Sequence, residues 1–361
     1  MKKFAAVAVG VASFYYISFI TQKHQEKDKN ISETVQNSNH HHRPKQNMGS
    51  DDIQSQRDFI NYISKYTKSY QSTEEYNKRY ELFLKTKEQI MRTNSQNGAS
   101  YRLGFNQFSD WTDAEFNQIL GDKAVQDQDD PAHLLVLDAS KNAATIDWRQ
   151  QGVVNPVKDQ QRCGSCWSFA SAAAVESHHA IEGNDLLSLS EQNLVDCSKA
   201  YGNDGCNGGL ATQAYQYIRD FGIESESDYP YKAVDQACAR DQSKVKVFVT
   251  DYHSVTTQSP DQLKAALNVG PVSVSVDAGG DFRSYEGGIL DKGCGTSLNH
   301  AILAVGYGSE NGQEYYIVRN SWGPYWGESG YIRMAVVAGQ GICGIQIRPS
   351  WPQTKSAQAE E

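Results

Sequence analysis

The sequence predicts an α+β molecule, with a helical lobe and a strand-rich lobe packed about a cleft, behind a smaller α-rich unit. Three observations carry this. Aromatic residues recur at helical spacing between residues 57 and 94. An alanine-rich stretch from Ser165 to about Ile181 reads as one long helix. After Val245 the pattern changes to short β-branched runs separated by glycine.

At the N-terminus, Lys2 and Lys3 precede an apolar run from Phe4 to Ile20. Residues 1–20 read as a cleaved secretory signal, with an uncleaved signal-anchor as the alternative. Residues 21–56 are polar and predict a disordered linker. They contain the His40–His42 tract, which no cysteine or carboxylate cluster supports as a metal site, and the sequon Asn30-Ile31-Ser32. Residues 57–143 read as the α-rich unit. Phe59, Tyr62, Ile63, Tyr66 and Tyr70 share one helical face. Tyr76, Tyr80, Phe83 and Ile90 share another, supported by Glu75 four residues ahead of Arg79. The segment Tyr101–Phe108 follows, then an acidic stretch, Asp122–Asp130, closed by Pro131 and read as a linker.

Residues 144–361 form the third unit. Its first half holds the Ser165 helix, ending near Gly183, and a second helix over Leu210–Phe221. Its second half holds strands at Val245–Val249, Val272–Val276, Ala301–Val305, Tyr315–Val318 and Tyr331–Met334. A cleft at such a junction is a common binding site.

The 361 residues suffice for two full cores. The net charge of −9 is uneven. Residues 1–143 balance, 18 basic against 18 acidic, whereas residues 144–361 carry 16 against 25. An acidic domain without clustered Lys/Arg excludes nucleic acid as a partner. All seven cysteines lie between Cys163 and Cys343. Pairing them implies an oxidising, secretory route, and the odd count leaves one thiol over. That route leads to a lysosome, a vacuole or the outside of the cell.

The chemistry centres on Gln160-Gln161-Arg162-Cys163-Gly164-Ser165-Cys166-Trp167, which opens the long helix. A nucleophilic thiol must ionise, and a helix N-terminus and a histidine partner both favour the thiolate. A zinc site would need a second Cys pair, and a redox dithiol a different local fold, so neither fits Cys163 and Cys166. His178 and His179 are assigned to packing in the helix, and His253 to the surface.

The string Cys163-Gly164-Ser165-Cys166-Trp167 is the signature of papain and the cathepsins. The chain resembles a papain-like cysteine protease, most of all a cathepsin L-type precursor. Asn299-His300-Ala301, running on to Val305-Gly306-Tyr307-Gly308, resembles the family's histidine strand. Asn320-Ser321-Trp322-Gly323 resembles its asparagine motif. The resemblance implies a two-lobed fold, helical on the left and an antiparallel, barrel-like sheet on the right. It implies Cys166 as nucleophile, His300 as its acid–base partner, Asn320 as the orienting amide shielded by Trp322, and Gln160 in the oxyanion hole. It also implies the pairs Cys163–Cys206, Cys197–Cys238 and Cys294–Cys343, where sequence alone leaves 15 pairings open. Gly208, Gly209, Leu210, Ala211, Ser275, Leu298 and Arg348 would bind substrate.

The α-rich unit resembles the family's inhibitory propeptide. Glu75, Arg79, Phe83, Ile90 and Asn94 fall on its interrupted helix motif, with Thr86 in place of one Asn. Gly104, Asn106, Phe108 and Asp110 complete the motif that follows. Asp110 is the candidate acid sensor, and maturation is expected within 138–145.

Two positions depart from the family pattern. Gln161 stands where glycine is usual, so a positive φ there would be strained. Arg348 stands at the base of the S2 subsite, predicting apolar P2 residues with some tolerance of acidic ones, unless its side chain snorkels to solvent. The short interval from Cys206 to Tyr231 leaves no room for an exopeptidase loop. The expected protein is therefore a monomeric cysteine endopeptidase made as a zymogen. It would act on proteins and peptides, be inhibited by its own propeptide, and need no cofactor or metal. The rival is a catalytically silent relative that only binds or inhibits.

Overall fold

The structure is a computed structural model describing residues 50–96, 98, 100–123 and 132–357. The expected signal segment, most of the 21–56 linker with its His tract and sequon, and the acidic stretch from 124 through Pro131 lie outside the described residues. The described residues from Ser55 onward form one compact unit.

The α-rich unit opens with α1 (Ser50–Lys65) and α2 (Thr73–Asn94). The Ser72 hydroxyl caps α2 by accepting from the Glu75 N–H. The two aromatic faces meet as the sequence pattern requires, with Phe59, Tyr62 and Phe83 buried together. Strand β1 (Tyr101–Leu103) and the short α3 (Asp113–Asn117) complete the unit. Asn94 joins α2 to β1 through paired bonds to the Leu103 backbone, both 2.8 Å. Thr86, the substitute for asparagine, donates to the Ser109 carbonyl at 2.9 Å.

The chain continues through β2 (Leu134–Leu135) and β3 (Ile146–Asp147) into the helical lobe. There α4 (Cys166–Ile181), α5 (Glu191–Cys197) and α6 (Ala211–Phe221) precede β4 (Ile223–Glu224). Every residue of α4 from Cys166 to His179 is buried. That requires a helix apolar or small on all sides, which its alanine and serine content supplies. The strand-rich lobe comprises β5 (Val245–Val255), α7 (Pro260–Val269), β6 (Val272–Val276), β7 (Tyr285–Leu290), β8 (His300–Glu310), β9 (Gln313–Arg319), β10 (Tyr331–Ala335) and β11 (Ser350–Ser356). The sheet runs β1-β7-β10-β9-β8-β6-β11-β5-β2, with β3 on β8 and β4 on β5. Its pairings are antiparallel except β7 with β10 and β2 with β5. Strand β1 thus adds the α-rich unit to the edge of the main sheet.

Helix α7 and strands β7 and β11 go beyond the sequence reading. The Ser259 cap followed by Pro260 at the first turn was a legible start signal for α7. Strand β7 is Gly-rich and β11 contains Pro352, and both features weaken a strand pattern. His253 corrects its surface assignment. It is half-buried, its ring 4.5 Å from that of Trp351. His178 and His179 are buried in α4.

Candidate active site

Cys166 is the first residue of α4 and is fully buried. The turn that delivers it is tied down by the Cys163–Cys206 disulfide. The other disulfides are Cys197–Cys238 and Cys294–Cys343, and Cys166 is the free thiol. Two backbone N–H groups point at Cys166 Sγ, from Ala301 at 3.4 Å and Gly121 at 3.3 Å. The first comes from β8, directly after His300, so helix and strand meet at the sulfur. The second comes from the α-rich unit, which crosses the site.

His300 is also fully buried. Its Nε2 donates to Asn320 Oδ1 at 2.8 Å. That oxygen also accepts the Ser321 N–H at 2.8 Å, which fixes the amide orientation. The neutral ring then carries its proton on Nε2 and a lone pair on Nδ1, and Nδ1 has no hydrogen-bond partner. The Trp322 ring stacks on the imidazole at 4.5 Å. Phe108 and Phe116 of the α-rich unit close over Trp322 in turn, at 5.1 and 5.4 Å.

Gln160 is buried and held on all sides. Its amide donates to the Ile119 carbonyl at 2.7 Å and the Cys163 carbonyl at 2.9 Å. Its oxygen accepts from Ser321 Oγ at 2.6 Å. Gln161 has φ +55°, the left-handed region that glycine would occupy freely. The loop does not shift to avoid it. Instead the Gln161 N–H donates to Asp159 Oδ1 at 2.8 Å, and Gln160 stays in place.

Burial sets the protonation state of this closed site. It pushes the Cys166 thiol up to about 12 and the His300 imidazole down to about 4. Burial thus favours the neutral form of both groups. The group of the covering segment that faces the sulfur is the Gly121 N–H.

The course of the α-rich unit across the site depends on close approach. A Cβ on Gly121 would collide with the Gly164 carbonyl. Beyond it, Gly209 N–H donates to Gly121 O at 2.9 Å and Lys123 N–H donates to Gly209 O at 3.2 Å. Leu210, Ala211, Ser275 and Arg348 line a small cavity there, and Asp122 enters it. Arg348 turns inward and does not snorkel. Its guanidinium donates to Asp122, to the Lys123 carbonyl at 3.1 Å, and to Ser275 Oγ at 3.2 and 3.4 Å. Burial pushes the Asp122 carboxyl up, opposed by Arg348.

One expectation needs correction here. Asp122 is not the first residue of a linker but a buried side chain in the cavity. Leu298 packs beside Gly344. Gly208 sits against Gly121 and Lys123 of the pro-segment. No local signal could have joined Asp122 to Arg348, because they meet only through the tertiary fold. Among the described residues, no cluster of His, Cys, Asp or Glu could hold a metal, and no helix is long and apolar enough to cross a membrane.

Residues 142–353 match the family model described as papain family cysteine protease, and residues 59–116 match the cathepsin propeptide inhibitor domain. A cysteine proteinase of Arabidopsis thaliana is 44% identical over 293 residues, covering 79% of this chain; the chain spans 63% of that relative's length. A cathepsin L-like proteinase of Phaedon cochleariae is 43% identical over 80% of this chain and 90% of its own length. Among solved structures, digestive procathepsin L 3 of Tenebrio molitor larval midgut superposes with TM-score 0.75. It shares 39% identity and covers 82% of this chain and 98% of its own. A recombinant stem bromelain precursor gives TM-score 0.76 at 38% identity, covering 83% and 98%.

Proposed function

This chain belongs to the papain family of cysteine proteases, and from that membership we propose that it is the latent precursor of a cysteine endopeptidase with Cys166 as nucleophile. The observation that carries the reading is the convergence on Cys166 Sγ of the α4 N-terminus and the β8 backbone beside His300.

When the pro-segment leaves, water returns to the cleft and the burial penalty on both charges falls. Nδ1 of His300 takes the thiol proton, giving a thiolate beside an imidazolium. The sulfur attacks the substrate carbonyl carbon. The carbonyl electron pair moves to oxygen, and that oxyanion is held by the Gln160 amide and the Cys166 backbone N–H. The carbonyl then reforms, the C–N bond breaks, and His300 protonates the departing amine, leaving a thioester. Water next attacks the thioester carbon, giving its proton to His300. The C–S bond breaks and releases the acid and the free enzyme. Asn320 keeps the imidazole oriented throughout, and Trp322 keeps water off the bond between them.

In the precursor the Gln160 amide is already occupied by the Ile119 carbonyl, which supports autoinhibition by occupancy of the oxyanion site. Residues 143–145 are exposed, immediately before β3, which supports maturation within 138–145. Three disulfides support an oxidising secretory route, to a lysosome, a vacuole or the medium.

Acidifying the purified precursor with a thiol-reactive epoxide present tests this. The chain should lose the residues ahead of Ile146 and take one label, on Cys166. The Cys166→Ala chain should neither process itself nor take label. A protein substrate cleaved only from its ends, or not at all, would overturn the endopeptidase reading.

A further inference from the structure

Arg348 has an unusual set of partners. Two of its three, Asp122 and the Lys123 carbonyl, lie ahead of residue 142, where the papain family match begins, and are removed by the expected maturation. Only Ser275 Oγ remains, as a single weakly placed acceptor for a five-donor cation. The rest of the cavity wall, including Leu210, Ala211 and Ala301, carries no charge. With Asp122 in place the Arg348 side chain is 14% exposed, and about 20 Å³ of space is left unfilled, room for no more than a water.

Maturation therefore leaves a guanidinium in the pocket wall with its main partner gone. An apolar side chain entering that pocket would strip water from the cation and return nothing. A basic one would add like-charge repulsion. A carboxylate would restore the pair that the pro-segment makes, with the apolar wall covering its methylenes. Asp122 is, in this sense, a resident sample of what the pocket accepts.

We infer that Arg348 and Ser275 make this pocket an acid-selecting S2 subsite, so that the mature enzyme cleaves best after sequences with Asp or Glu at P2. This rests on the endopeptidase reading and reverses the order expected from the sequence, where apolar P2 residues come first. Arg348 acts as a specificity determinant and takes no part in the bond-breaking steps.

The test uses mature enzyme, counted by epoxide titration of Cys166, and four fluorogenic dipeptides with Arg at P1 and Glu, Asp, Leu or Arg at P2. The kcat/KM for Glu or Asp should exceed that for Leu on the order of 10- to 100-fold, the range for a charge-assisted hydrogen-bonded pair. Arg at P2 should be poorest. Arg348→Leu should invert the Glu-to-Leu ratio. Arg348→Glu should favour Arg at P2, which keeps the test decisive if the leucine variant fails to fold. Wild-type enzyme turning over the Leu substrate as well as the Glu one overturns the inference. So does an acidic preference that survives in Arg348→Leu. Turnover of none of the four by enzyme that still titrates at Cys166 would instead sink the endopeptidase reading, and the inference with it.

Discussion

Asp110 and Asp122 are both buried carboxylates of the pro-region, and they are spent on different things. Asp110 is held by its own unit: Tyr62 at 2.6 Å, Lys68 at 2.8 Å and Tyr70 at 2.8 Å all donate to it. Asp122 is held by the peptidase, through Arg348. One carboxylate makes the inhibitory unit a folded object, and the other docks it. A zymogen can therefore be opened in two separable ways, by melting the unit or by lifting its strap.

The largest effect is expected from melting. In Asp110→Asn the amide keeps the shape, but Lys68 is left without a counter-ion in a site where burial already lowers its pKa. Breaking such a pair costs about 3 kcal/mol or more. The precursor should unfold its pro-region at lower temperature and process itself at higher pH. An unchanged pH profile of processing would remove Asp110 as the acid sensor.

Lifting the strap should come next. Gly121→Ala forces a methyl group against the Gly164 carbonyl, a backbone atom that cannot rotate away. Overpacking of that kind costs about 1–3 kcal/mol. Inhibition should weaken about 10- to 100-fold, while the pro-region's own melting stays where it was. If the melting temperature falls with the inhibition, the two routes are not separable.

Acid should act on the unit through Glu115. Glu115 accepts from Arg79 at 2.6 and 2.7 Å, and this holds its carboxyl down to about 2, from an ordinary 4.5. Over that interval the unfolded unit takes up a proton that the folded one refuses. The stability it confers is thus complete above about pH 4.5 and drains away as pH falls toward 2. Partial exposure reduces it to about 1–2 kcal/mol. Glu115→Gln should flatten the acid dependence of pro-region unfolding below pH 4.5 and leave it unaltered above.

Local pattern reached some of this and not the rest. The aromatic faces of α1 and α2 were readable because they write their burial into their periodicity, and α4 was readable because its small residues suit a helix buried on all sides. That Cys166, His300, Asn320 and Gln160 would be brought close together was readable because each sits in a local string resembling a family motif. The Asp122–Arg348 pair was not, since nothing around either residue marks the other.

Gln161 sharpens the comparison from the peptidase side, where a local rule is broken at the site itself. Its positive φ costs an L residue about 1 kcal/mol, because Cβ crowds its own carbonyl. Gln161→Gly relieves that crowding and keeps the Asp159 bond, which uses only the backbone N–H. Glycine also gains freedom in the unfolded chain, which offsets part of the benefit. The net expectation is a stabilisation of about 0.5 kcal/mol, read as a small rise in melting temperature, with kcat/KM unchanged because Gln160 is fixed by Ser321 and Cys163. A fall in stability would mean that the Gln161 side chain contributes more than its backbone costs. A fall in kcat/KM alone would mean that the strained turn, and not those two bonds, is what aims Gln160.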